Sequence, residues 1–144
     1  MFSNILVLCT GNICRSPFAE AVLSGGLTGK HITSAGLAAL VDYKADATAL
    51  EVAGGRGYDL IKHRARQVSR KDVSQADLIL VMDDEHLNKL HRKYPESRGR
   101  AFKLAKWMGN RNIADPYLKS SEFMGLVFDQ IEQAAETWIH RLSQ

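Results

Sequence analysis

The chain has 144 residues, 45% of them apolar and 24% charged, with 11 Gly, 3 Pro and 2 Cys, which fits one folded domain and excludes collagen-like, coiled-coil and disordered classes. No apolar run approaches the ~20 residues of a membrane-spanning helix, and two cysteines make no disulfide framework. A net charge of +3 is too mild for a protein whose affinity comes from neutralising many phosphates, so nucleic acid is not expected as a partner.

Met1-Phe2-Ser3-Asn4 leads straight into the apolar run Ile5 to Cys9 without the basic opening of a secretory signal, so a cytoplasmic location is expected. Asn4 to Cys9 reads as a strand buried on both faces. After a short loop, Ser16-Pro17 offers a helix cap with proline in the first turn, and Phe18, Ala21, Val22 and Leu23 follow as a helix. His31 to Ser34 reads as a strand, Asp46 to Gly57 as a helix, Asp77 to Met82 as a second fully apolar strand and Asp84 to Tyr94 as a helix. Arg100 to Leu104 suits a short edge strand. A long helix from Ser120 to Leu142 carries the stripe Met124, Val127, Phe128, Ile131, Ala135, Trp138 and Leu142, whose helical spacing marks it as core. The basic stretch Lys62 to Lys71 lacks an aromatic platform and is read as a solvated face.

Strands alternating with helices specify an α/β fold: a doubly wound, four-stranded parallel sheet with helices on both faces, as a single domain over 1–144. Ligands of such sheets bind beyond the carboxyl ends of the strands, where strand order reverses, and the first strand borders that crevice. The loop there reads Cys9-Thr10-Gly11-Asn12-Ile13-Cys14-Arg15-Ser16. It is a Cys-x5-Arg-Ser pattern between a buried strand and a helix N-terminus, where unpaired N–H groups and the helix dipole favour an anion. Five intervening residues can curl their N–H groups onto one oxyanion while Arg15 grips two of its oxygens, and Gly11 and Asn12 tolerate the left-handed backbone this requires. The same field favours the Cys9 thiolate, a nucleophile, with Ser16 as a hydroxyl donor to its sulfur. A phosphate fits the loop.

Displacing an alkoxide or phenolate from phosphorus also calls for a proton donor. In Asp115-Pro116-Tyr117 the proline biases Asp115 away from helix and holds its carboxyl on a loop, although taken alone Asp-Pro is a turn signal.

The Cys9 to Ser16 loop, Ser34-Ala35-Gly36, His63-Arg64-Ala65-Arg66-Gln67, Leu80-Val81-Met82-Asp83 and Asp115-Pro116-Tyr117 together resemble the low-molecular-weight protein tyrosine phosphatases over nearly the whole chain. The similarity is greatest to the bacterial branch that dephosphorylates tyrosine autokinases of capsule and exopolysaccharide assembly. The resemblance implies Cys9 as the phosphocysteine-forming nucleophile, Arg15 as the transition-state clamp and Asp115 as the acid and then the base for water. Asn12, Ser16, Ser34 and His63 match the network that shapes a loop whose remaining members are Thr10, Gly11, Ile13 and Cys14. Tyr117 is implied as one aromatic wall of the pocket, with Leu40 expected opposite. No metal and no cofactor are implied, and the expected partner is a phosphotyrosine protein, a membrane-anchored tyrosine autokinase, met by a monomer that does not itself insert into the membrane.

Two departures stand out. Leu118 occupies the position of the second tyrosine of eukaryotic members, and Leu40 replaces the aromatic wall residue common elsewhere. Arsenate reductases of this fold need further cysteines downstream, and none follows Cys14. Arginine-phosphate phosphatases carry threonine where this loop has Ile13, an apolar residue suited to a phosphotyrosine ring. Beyond hydrolysis, the Cys9 and Cys14 pair could serve redox sensing, and a phosphocysteine carrier passing phosphate to a sugar is a further class, which the acid Asp115 disfavours.

Overall fold

Strand β1 (Asn4–Cys9) is buried at every position after the first, as its unbroken apolar sequence predicts, because it lies inside a parallel sheet covered on both sides. The computed structural model describes residues 2–143. Its further elements are α1 (Arg15–Gly26), β2 (His31–Gly36), α2 (Ala47–Gly55), α3 (Arg70–Gln75), β3 (Leu78–Val81), α4 (Asp84–Lys93), β4 (Ala101–Lys103) and α5 (Ser121–Leu142). The four strands are parallel in the order β2-β1-β3-β4. Strand order therefore reverses between β1 and its two neighbours, and the loop leaving β1 opens onto that switch.

Side chains alternate strictly between the two faces. Ile5, Val7, Leu78 and Leu80 join the core formed with α1, α2 and α5, while Leu6, Leu8, Ile79 and Val81 join the smaller core under α3 and α4. In the larger core Phe18 of α1 stacks on Phe128 of α5, ring centres 4.0 Å apart and planes 3° from parallel. Burying each such ring contributes roughly 1.5–3 kcal/mol, and the pair fixes the direction in which α1 leaves the catalytic loop. The expected stripe of α5 is buried from Met124 to Trp138, and only Leu142, near the helix end, is half-buried.

Two local expectations are corrected. Helix α1 starts at Arg15, with Cys14 in the cap position and no side-chain cap, and Pro17 is its third residue. Ser16 is taken inside the helix because its hydroxyl has partners in the loop, described below. The basic stretch is solvated as expected, with Lys62, Arg64, Arg70 and Lys71 exposed, but it also opens a helix that was not anticipated. Ser69 and Asp72 form a capping box that starts α3, Arg66 Nη1 donates to both carboxylate oxygens of Asp72 at 2.9–3.0 Å, and Arg70 pairs with Glu96. The Ser-x-x-Asp signature was present in the sequence, but a six-residue helix with Val73 as its sole buried residue offers too short a period to read.

Candidate active site

Residues 10–14 curl between β1 and α1 around Asn12, which is fully buried and holds a left-handed backbone (φ 61°). Its side chain sets the loop. The amide Nδ2 donates to Ser16 Oγ at 2.8 Å and to Ser34 Oγ at 3.0 Å, and Oδ1 accepts the backbone N–H of Arg66 at 3.0 Å. Because both hydroxyls receive a proton from Asn12, their own protons point away from it. Ser34 donates to Glu20 Oε1 at 2.5 Å, and Ser16 donates to Cys9 Sγ at 2.9 Å. The Cys9 sulfur and the Ser16 hydroxyl are thus held in contact inside the loop. From outside, His63 Nε2 donates to the Asn12 carbonyl at 2.6 Å, so the segment 63–66 straps the loop at two points.

Gly36 closes the loop against the sheet. It pairs with Cys9 across β1 and β2, and a Cβ placed on it would lie 2.5 Å from the carbonyl oxygen of Thr10, so any side chain here would push the loop out of shape.

Arg15 is 2% exposed. A guanidinium so buried requires partners. One nitrogen, Nη1, donates to the Ile113 carbonyl at 2.8 Å and lies 3.4 Å from Asp83 Oδ2; the other, Nη2, lies 3.8 Å from Asp115 Oδ2. Asp83 in turn caps α4 by accepting the His86 N–H at 2.8 Å. Asp115 stands on the loop between β4 and α5, its side chain half exposed, and accepts the Tyr117 N–H at 3.0 Å.

These groups meet in a cavity of about 170 Å³ lined by Cys9, Thr10, Gly11, Ile13, Cys14, Arg15, Ala38, Leu40, Asp115 and Tyr117. The residues expected on the pocket surface are all there, Leu40 and Tyr117 included, while Asn12, Ser16, Ser34 and His63 form the layer that shapes the loop. Ala38 was not anticipated. A larger cavity of about 230 Å³ lies at the amino ends of β1 and β2, beside Arg66 and Asp72, away from the cysteine loop. Size alone does not single out the site; converging polar groups do.

Burial, reinforced by the Asp46 carboxylate, pushes the Cys14 thiol up, which keeps it protonated. His86 was also missed by sequence reasoning. It is 3% exposed; its Nδ1 accepts the Met82 N–H at 3.3 Å, so Nε2 carries the proton and donates to Thr10 Oγ1 at 2.9 Å. Burial first, and then the nearby Arg15 charge, lower its pKa to about 4. The unfolded chain takes up the proton near pH ~6.5, whereas the folded protein resists it. Stability from this group is therefore complete above about pH 6.5 and declines on acidification toward pH 4, by at most about 1.4 kcal/mol per pH unit. Thermal melts of His86→Gln should show a shallower loss of Tm across that window than wild type; parallel curves would remove His86 from the acid response.

A cysteine at the mouth of a curled anion-binding loop, a buried arginine beside it and a carboxylic acid across a narrow apolar cleft define a phosphate-monoester hydrolase of the cysteine-dependent kind. The sequence pattern described as low molecular weight phosphotyrosine protein phosphatase matches residues 4–144. A putative low-molecular-weight protein-tyrosine-phosphatase of Klebsiella pneumoniae is 46% identical over 142 residues, 99% of each chain. Among solved structures, the tyrosine phosphatase Wzb of Escherichia coli K30 in complex with sulphate superposes with a TM-score of 0.96 at 43% identity, covering 99% of both chains. Vibrio vulnificus Wzb in complex with benzylphosphonate does so with a TM-score of 0.95 at 40% identity, covering 98% of this chain and 99% of that one. The chain belongs to the low-molecular-weight protein tyrosine phosphatase family, and it is a protein-tyrosine phosphatase with the fold expected from its sequence. Among the described residues, no helix is long and apolar enough to cross a membrane.

Proposed function

We propose that the chain works as one catalytic domain that hydrolyses protein phosphotyrosine through a phosphocysteine intermediate, with Cys9, Arg15 and Asp115 as its chemical groups. Cys9 attacks phosphorus, the phosphorus–oxygen bond to the tyrosyl ring breaks, and Asp115 gives its proton to the departing phenolate. Asp115 then takes a proton from the water that attacks phosphocysteine, releasing inorganic phosphate and restoring the Cys9 thiolate. Arg15 and the N–H groups of residues 10–14 carry the charge of the transferring phosphoryl group. The observation that carries this reading is the contact of the Cys9 sulfur with the Ser16 hydroxyl at 2.9 Å, in a cleft whose lining also holds Arg15 and Asp115.

Ile13, Leu40 and Tyr117 suit the flat apolar ring of tyrosine. The physiological substrate proposed is a membrane-anchored tyrosine autokinase that governs exopolysaccharide or capsule production, met by a monomeric enzyme in the cytoplasm. Similarity to bacterial tyrosine phosphatases and Leu118 in place of a second tyrosine support this branch. Incubation with the phosphorylated cytoplasmic part of such a kinase from the same genome should release its phosphate, and persistence of the phosphotyrosine would reject that partner.

The acid is tested with leaving groups. Tyrosine's phenolate has a conjugate acid near pKa ~10 and needs a proton as it departs, whereas a dinitrophenolate leaves unaided. Asp115→Asn should lower kcat/KM, which reports the steps through departure of the phenolate, by about 10²-fold on a phosphotyrosine peptide and by no more than about threefold on dinitrophenyl phosphate. Equal slowing of both substrates would show that Asp115 shapes the loop and donates no proton.

A further inference from the structure

Strand β4 reads Ala101-Phe102-Lys103, and its lysine is 5% exposed. An ammonium there is costly unless every proton has a partner. All three do: Lys103 Nζ donates to the Asn110 carbonyl at 2.7 Å, to Asn112 Oδ1 at 3.0 Å and to Asp84 Oδ1 at 2.8 Å. Asn112 Oδ1 also accepts the backbone N–H of Asp84 at 3.1 Å, and its Nδ2 reaches Asp84 Oδ2 at 3.4 Å. Asp84 opens α4, so a residue of the acid-bearing loop satisfies one of that helix's unpaired N–H groups.

Downstream, Ile113 donates its N–H to Met82 and accepts Arg15 on its carbonyl. Two residues further stands Asp115. Between Met108 and Ser120 the chain has no helix or strand, so the approach to Asp115 is held by the buried Ile113 side chain and by the bonds at Asn110, Asn112 and Ile113. Lys103 supplies two of them.

We propose that Lys103 is a positioning residue for proton transfer: with Asp84 and Asn112 it forms a strut that fixes residues 110–113 and so sets the reach of Asp115 over the cleft. This rests on Asp115 being the acid. Lys103 touches no reacting atom and contributes through geometry, to which proton transfer is steeply sensitive.

The test compares a phosphotyrosine peptide with dinitrophenyl phosphate for Lys103→Met, Asn112→Ala, Asp115→Asn and the Lys103→Met/Asp115→Asn pair. Methionine fills the lysine's space without a charge, and the carboxylate it leaves, Asp84, is exposed to solvent, so no buried charge is stranded; Asn112 is exposed as well, and its variant keeps the test open if Lys103→Met fails to fold. Each strut variant should lower kcat/KM on the peptide by about tenfold and leave kcat/KM on dinitrophenyl phosphate within about twofold. Lys103→Met should add nothing in the Asp115→Asn background. Loss shared equally by both substrates in the strut variants, or additive loss in the double variant, overturns the strut while Asp115→Asn remains selective. If Asp115→Asn itself slows both substrates equally, the acid assignment falls and the strut with it.

Discussion

Cys9→Ser abolishes phosphotyrosine hydrolysis, by more than about 10³-fold, and leaves the folded protein able to hold an oxyanion. The serine hydroxyl keeps its proton because nothing in the loop takes it: Ser16 is already turned toward this position as a donor, and the Asn12 amide occupies the acceptor side of Ser16. The hydroxyl fits where the sulfur sat, and the contacts that shape the loop, from Asn12 to Ser34, Arg66 and His63, do not involve Cys9. Calorimetric titration with sulfate, an oxyanion that the thiolate does not attack, should therefore give a Kd close to that of the wild type, beside an activity at background. Turnover within tenfold of wild type would remove Cys9 as the nucleophile, and a lost oxyanion site would show that the thiolate itself builds the loop.

Arg15→Lys lowers kcat by about 10³-fold although the charge is kept. The guanidinium does two jobs from one plane: Nη1 is tied to the Ile113 carbonyl and near Asp83, while Nη2 faces the cleft. A lysine offers one ammonium on a shorter fork-less stem, so gripping two phosphoryl oxygens and holding Ile113 cannot both be met. The fall should appear in kcat more than in KM, since the grip tightens as charge spreads over the transferring group. Steady-state kinetics on a phosphotyrosine peptide decide it; a variant within about threefold of wild type would mean that the loop's N–H groups suffice and that Arg15 serves the fold.

Much of this site was legible in sequence because it is contiguous. Cys9, Arg15 and Ser16 belong to one loop whose spacing has a physical meaning, and β1, β3 and α5 were legible because unbroken apolar runs and a long helical stripe are strong local signals. Ser34 and His63 came from resemblance alone, since nothing near them in sequence says that Asn12 will be their partner. Glu20, Arg66, His86 and Lys103 act through bonds to residues far away in the chain: Arg66 donates its backbone N–H, which has no residue signature, and His86 meets Thr10 across 76 positions. Lys103 was hidden by β4 itself, where a lysine in a short edge strand reads as solvent-facing. Ser16 was expected both as a helix cap and as the hydroxyl partner of the Cys9 sulfur; the second role holds and the first does not, because the helix begins one residue before it.

The carboxylate of Asp115, 3.8 Å from Arg15, is a resident counterion. When the cleft is empty it offsets part of the guanidinium's charge; when a phosphate dianion enters, the two anions compete for the same guanidinium. Substrate entry is in effect an exchange of one anion for another, with the incumbent tethered to the protein. The exchange runs in reverse after each turnover, so Asp115 is placed to reclaim the arginine and ease inorganic phosphate out of the loop.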